Sequence, residues 1–74
     1  MKRKYVALGS CYYGIGHSVR EAVKFAKRSR PTFVSSKDKM KVYLLPEGAT
    51  TVHITDVGHI FWEGVKGEAI EIDY

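Results

Sequence analysis

Ser18-Val19-Arg20-Glu21-Ala22-Val23-Lys24-Phe25-Ala26-Lys27-Arg28-Ser29-Arg30-Pro31 is the stretch that decides the fold class. Ser18 and Glu21 match the S-x-x-E capping box, in which serine accepts from the third helical amide and glutamate reaches back to the cap amide. Val19, Ala22, Val23 and Ala26 recur at the spacing of one helical face, flanked by Phe25, while Arg20, Glu21, Lys24, Lys27 and Arg28 fall opposite. Cations in the last turn suit the negative end of the helix dipole, and Pro31 forces a stop near Arg30. The spacing predicts one amphipathic helix of roughly three turns that must pack on something.

Outward from this helix the pattern changes to short strands. Tyr5-Val6-Ala7-Leu8 reads as a strand, and Cys11 to Ile15 as its continuation or, if Gly9-Ser10 turns, as a second arm. Thr32 to Lys41 is polar and basic around Phe33-Val34, with residues 35–39 as a loop tip expected to tolerate insertions. Val42-Tyr43-Leu44-Leu45, Thr51 to Thr55, His59 to Trp62 and Ala69 to Tyr74 follow as strands separated by Pro46-Glu47-Gly48, Asp56-Val57-Gly58 and Gly64 to Gly67. Short connections favour antiparallel neighbours, so the C-terminal half is expected to form a meander. The expected fold is α+β, a single domain with one amphipathic helix packed on an antiparallel sheet of four or five strands, in the order β(β)-α-β-β-β-β. Val52, Ile54, Ile60, Trp62, Ile70 and Ile72 are the expected inward positions beneath the helix.

The 74 residues suffice for one modest core and leave little room for a deep catalytic cleft. Cys11 is the only cysteine, so neither an internal disulfide nor a cysteine-rich zinc site can form, which fits a reducing, cytoplasmic setting. The basic start Lys2-Arg3-Lys4 is followed by an apolar run too short for a secretory signal, and no apolar stretch approaches the roughly 20 residues that cross a bilayer. No membrane partner is expected. Charge is sorted along the chain: residues 1–41 hold eleven of the twelve Lys and Arg against two acids, and residues 42–74 hold one against six. Either the halves pair and the field cancels, or the basic half presents a surface to a polyanion.

Several constellations carry candidate chemistry. Gly9 to His17 leads into a helix N-terminus, where free amides favour anions, yet neither a Walker lysine nor a complete G-x-G-x-x-G is present, and Gly14 and Gly16 also suit a simple bend. Cys11 and His17 form a thinkable thiolate pair, but lone cysteines are usually small buried hydrophobes. His53, Asp56 and His59 flank a turn and are good ligand types, but need a matching strand register to converge. No carboxylate pair stands out for acid–base work. The sequence therefore assigns no catalytic residue, no metal and no cofactor.

Gly16-His17-Ser18-Val19-Arg20-Glu21-Ala22 resembles the strand-to-helix junction of HicB-type antitoxins and other small prokaryotic α+β domains, over seven residues and without the Pro-Gly segment that precedes it in that family. The resemblance implies a protein that binds a partner rather than an enzyme.

The basic residues are the remaining candidates. Lys2, Arg3 and Lys4 at the start, Arg20, Lys24, Lys27 and Arg28 on the helix, and Lys37, Lys39 and Lys41 in the loop could neutralise phosphates, with Tyr5, Tyr12, Tyr13, Tyr43, Phe61 and Tyr74 as rings for stacking. Lysines also populate the solvated face of any helix, and tyrosines rim small cores. The expected function is a small non-catalytic accessory protein, of the kind a phage or mobile element encodes, that binds another protein. The alternative is nucleic-acid binding by Arg20, Lys24, Lys27, Arg28, Lys2, Arg3 and Lys4. Open sheet edges also leave room for a homodimer by strand addition.

Overall fold

Val6 and Ala7 are neighbours on one strand, and both are fully buried. Successive strand residues point to opposite faces, so the sheet that contains them is covered on both sides. The computed structural model, which describes residues 3–35, 37–55 and 57–72, shows two different covers. In chain order the elements are β1 (Tyr5–Leu8), β2 (Tyr13–Gly16), α1 (Val19–Ser29), β3 (Lys41–Leu44), β4 (Thr50–Ile54), β5 (Ile60–Glu63) and β6 (Ile70–Ile72). This is the α+β order expected from the sequence, with Gly9-Ser10 turning the chain into a second arm. A four-stranded antiparallel sheet runs β2-β1-β3-β6, and β4 pairs with β5 in a separate two-stranded sheet. Helix α1 packs on one face of the larger sheet and the β4–β5 hairpin on the other.

The helix begins as the capping box requires. Ser18 is extended, and its hydroxyl accepts from the Glu21 amide at 3.1 Å while Glu21 Oε1 accepts from the His17 amide at 3.3 Å. Arg30 leaves helical geometry immediately before Pro31 and closes the C-terminus by donating its amide to the Lys27 carbonyl at 3.4 Å. Ala22 and Ala26 are the fully buried helix positions. They meet the glycines of β2 at backbone distance. A Cβ on Gly14 would collide with the Ala26 nitrogen and the Ala22 carbonyl oxygen, and one on Gly16 would sit 2.8 Å from the Ala22 nitrogen. Gly14 and Gly16 are thus where helix and strand backbones touch, rather than a bend. Ala7 and Val42 complete this core, with Tyr5, Val19, Val23, Val34 and Met40 around it.

The second core lies on the opposite face. Val6, Leu45 and Ala49 are buried there, packed by Ile15, Val52, Ile54, Ile60, Trp62, Val65 and Ala69. The expected meander is therefore corrected, because β3 pairs with β1 and β6 rather than with β4. At Pro46 to Ala49 a turn, with the Ala49 amide donating to the Pro46 carbonyl at 3.1 Å and Gly48 at φ 93°, carries the chain across the sheet. Val52, Ile54, Ile60 and Trp62 are inward as expected, but against the face away from the helix. Alternation reports that one side of a strand is buried and is silent about what buries it. Trp62 is held in that core by its indole N–H, which donates to the Val65 carbonyl at 3.0 Å. The hairpin bulges between Thr50 and His53, where Thr51 takes φ 49°.

The loop after the helix is tied down. Asp38 Oδ2 accepts from the Tyr12 hydroxyl at 2.9 Å and from the Ser10 amide and hydroxyl, each at 3.3 Å. The loop tip expected to tolerate insertion therefore carries a structural anchor to the β1–β2 connection; Ser36 lies outside the described residues.

Candidate docking face beside the helix

The register places two rows of residues across the α1 side of the larger sheet. One row is Gly14, Ala7, Val42 and Ile72; the other is Gly16, Tyr5, Leu44 and Ile70. Along the second row cover falls away steadily: Gly16 is buried, Tyr5 and Leu44 are half-buried, and Ile70 is 56% exposed. The cause is the seating of α1, which lies over β2 and β1, reaches only the near side of β3 and does not contact β6. Ile70 and Ile72, expected inward beneath the helix, point to the helix side but are not covered by it. Leu44 and Ile70 belong to neither packed core.

The flank of α1 next to this open half is distinctive. Val19 and Val23 line a shallow groove together with Arg20, Lys24, Lys27 and Arg28. The four helix cations expected from the sequence thus share one flank. The helix acid, Glu21, is spent on the capping box, and the acid of β6, Glu71, pairs in register with Tyr43 on the opposite side of the sheet. Gly16 and Gly14 meet Glu21 and Phe25, so that flank of α1 faces β2, and the flank with Val19, Val23 and the cations faces the β3 side.

The remaining candidates do not join them. The Arg3 side chain donates from Nε to the Leu45 carbonyl at 3.2 Å, and the Lys4 carbonyl accepts from the Leu45 amide at 2.9 Å, which continues the β1–β3 ladder. Lys2 lies outside the described residues. Lys41 begins β3 next to Val42 and so points to the hairpin side. The rings divide between the two faces of the sheet and the hairpin. Tyr12 is buried, Tyr5 lies on the helix side, Tyr43 is level with Val6 on the other side, and Phe61 is exposed on the outside of the hairpin. Tyr74 is outside the described residues. Tyr13, 47% exposed, lines a groove with Tyr12, Tyr43 and Lys41 at the hairpin side, away from the four helix cations.

Other candidate sites resolve similarly. The Ser18–Glu21 capping box uses the amides at the helix start and sets a carboxylate beside them, where an anion would otherwise sit. Cys11 is exposed before β2 and His17 follows it, so the strand separates them. His53 is opposite Phe61, and the His59 ring meets the Phe61 ring edge-on at 6.3 Å. Asp56 lies outside the described residues, and among those described no three His, Cys, Asp or Glu side chains cluster as a metal site.

The loop anchor perturbs the titration of both its members. Burial raises the Tyr12 phenol above its ordinary value, and the Asp38 carboxylate at its hydroxyl adds to the effect. The hydrogen bond from Tyr12 in turn lowers Asp38, helped by the Ser10 amide and hydroxyl. This arrangement fastens a loop and offers no group poised for proton transfer at neutral pH.

Sequence reasoning found the cations but missed the floor they border. The signal was present in the isoleucines of β6 at alternate positions, which the sequence assigned to the core. Comparison with protein-family models, curated proteins and solved structures returns no match to this chain. No described helix is long and apolar enough to cross a membrane.

Proposed function

We propose that this chain is a non-catalytic binding module that docks another protein on the open half of its helix-side face. The observation behind this reading is the apolar floor of Leu44, Ile70 and Ile72 beside Val19 and Val23, bordered by Arg20, Lys24, Lys27 and Arg28. An apolar patch with a charged rim is the anatomy of a protein interface, in which burial supplies affinity and charge supplies orientation. A cytoplasmic accessory role fits the lone cysteine and the small size.

Nucleic-acid binding is the competing reading, favoured by the four cations on one flank. A phosphate backbone would use those cations and leave the isoleucines without a partner. The two readings separate on fluorescence anisotropy of labelled random single- and double-stranded oligonucleotides across a salt series. The protein reading predicts no saturable binding near physiological salt. Saturable binding that weakens with salt, by a slope of about −0.7 per neutralised phosphate on single strands, would overturn it if Arg20, Lys24, Lys27 and Arg28 changed together to glutamine abolish the signal.

A further inference from the structure

We infer that the open half-face is a seat for one short amphipathic helix with acidic flanks, supplied by a different protein. This rests on the docking reading above and specifies its partner. Neighbouring strands lie about 4.8 Å apart, so the middle of the β3–β6 half is roughly 10 Å from the middle of the β2–β1 half over which α1 sits. Packed helices lie about 8–10 Å apart. A four-stranded sheet face has width for two helices side by side; α1 takes one half, and Val34 and Met40 of the following loop pack at the Val42 end of the other, leaving the Leu44–Ile70 end open. A second helix over β3 and β6 would rest on Leu44, Ile70 and Ile72 and lean on Val19 and Val23 of α1.

Charge selects which helix. The side of α1 that the newcomer meets carries Arg20, Lys24, Lys27 and Arg28, so acidic residues along the near flank of the incoming helix are attracted at close range. A second copy of this chain has no matching helix to offer, because the solvent side of its own α1 bears the same cations. An extended segment added to the β6 edge would satisfy backbone groups but leave the floor and the cation row unused.

The test is titration of methyl-labelled protein with a synthetic peptide of about twelve residues, ~18 Å as a helix, with leucines on one face and glutamates on its flanks. The control is the same peptide with a central proline, which breaks the helix. The expected result is saturable shifts at the methyls of Val19, Val23, Leu44, Ile70 and Ile72, a gain of helical circular dichroism, and at least about tenfold weaker binding of the proline peptide. Lys24→Glu with Lys27→Glu, both exposed on the cation flank of α1, should weaken binding by a similar factor and leave the thermal transition in place. Equal binding of both peptides, with shifts confined to β6 amides, overturns the helix seat but keeps a protein-docking edge. No binding of either peptide at low salt overturns the helix seat. If that failure is accompanied by salt-sensitive oligonucleotide binding, the docking reading falls with it. Sedimentation as a dimer that Ile70→Asp disperses would assign the face to a second copy and overturn the inference.

Discussion

Gly14 and Tyr12 show how single residues set this structure. Gly14 is the point where the backbone of β2 lies against that of α1 between Ala22 and Ala26, so even a methyl group must push the helix away. Gly14→Ala is expected to lower stability by about 3 kcal/mol, read as a shift of the denaturant midpoint. An unchanged midpoint would show that the helix sits further out. Tyr12 and Asp38 make stability depend on pH at both ends of the scale. Asp38 is lowered in the fold, so its contribution is present above the ordinary carboxylate range and is lost as pH falls through its lowered pKa. Tyr12 is raised, so its contribution is present below about pH 10 and is lost as pH rises through the raised pKa. Tyr12→Phe should abolish the alkaline loss, and a variant that follows the wild-type curve above pH 10 would contradict the assignment. Neither residue's role was legible in the sequence. A glycine in a strand has several uses, and the partner of Tyr12 lies 26 residues away.

At the scale of elements, local rules were sufficient for the helix and insufficient for the sheet. Ser18, Glu21 and Pro31 mark the ends of α1 through interactions that span four residues or fewer, and the structure has them where the spacing predicts. Ser18→Ala should cost about 1 kcal/mol in thermal or denaturant unfolding. The strands β3 to β6 were recognisable as strands, but their pairing was not, because alternation in Val52-His53-Ile54 or Ile70-Glu71-Ile72 fits any sheet that buries one side. The deciding event is the turn at Pro46 to Ala49, which sends β4 and β5 to the far face and leaves the free edge of β3 to β6. Within the hairpin, Thr51 holds a positive φ that a β-branched residue adopts at a cost of roughly 1 kcal/mol. Thr51→Gly is expected to recover about that amount, and a loss of stability would show that the Thr51 side chain makes compensating interactions.

At the scale of the molecule, sorting of charge along the chain becomes sorting of surface. The basic first half supplies α1 and its cation flank, while the acid of β6, Glu71, is directed to the opposite side of the sheet. The cations were visible from composition and helical spacing. The apolar floor beside them was not, because it exists through the mismatch between a four-stranded sheet and one helix seated over two of its strands. That mismatch is also the basis of the proposed function, and it is measurable without any partner. Methyl relaxation in the presence of a soluble paramagnetic agent reports which side chains meet solvent. Strong enhancement is expected at Ile70, intermediate enhancement at Leu44 and Ile72, and protection at Val6, Val42 and Leu45. Protection of Ile70 and Leu44 equal to that of Val42 would show that the face is already covered and would rule out docking there.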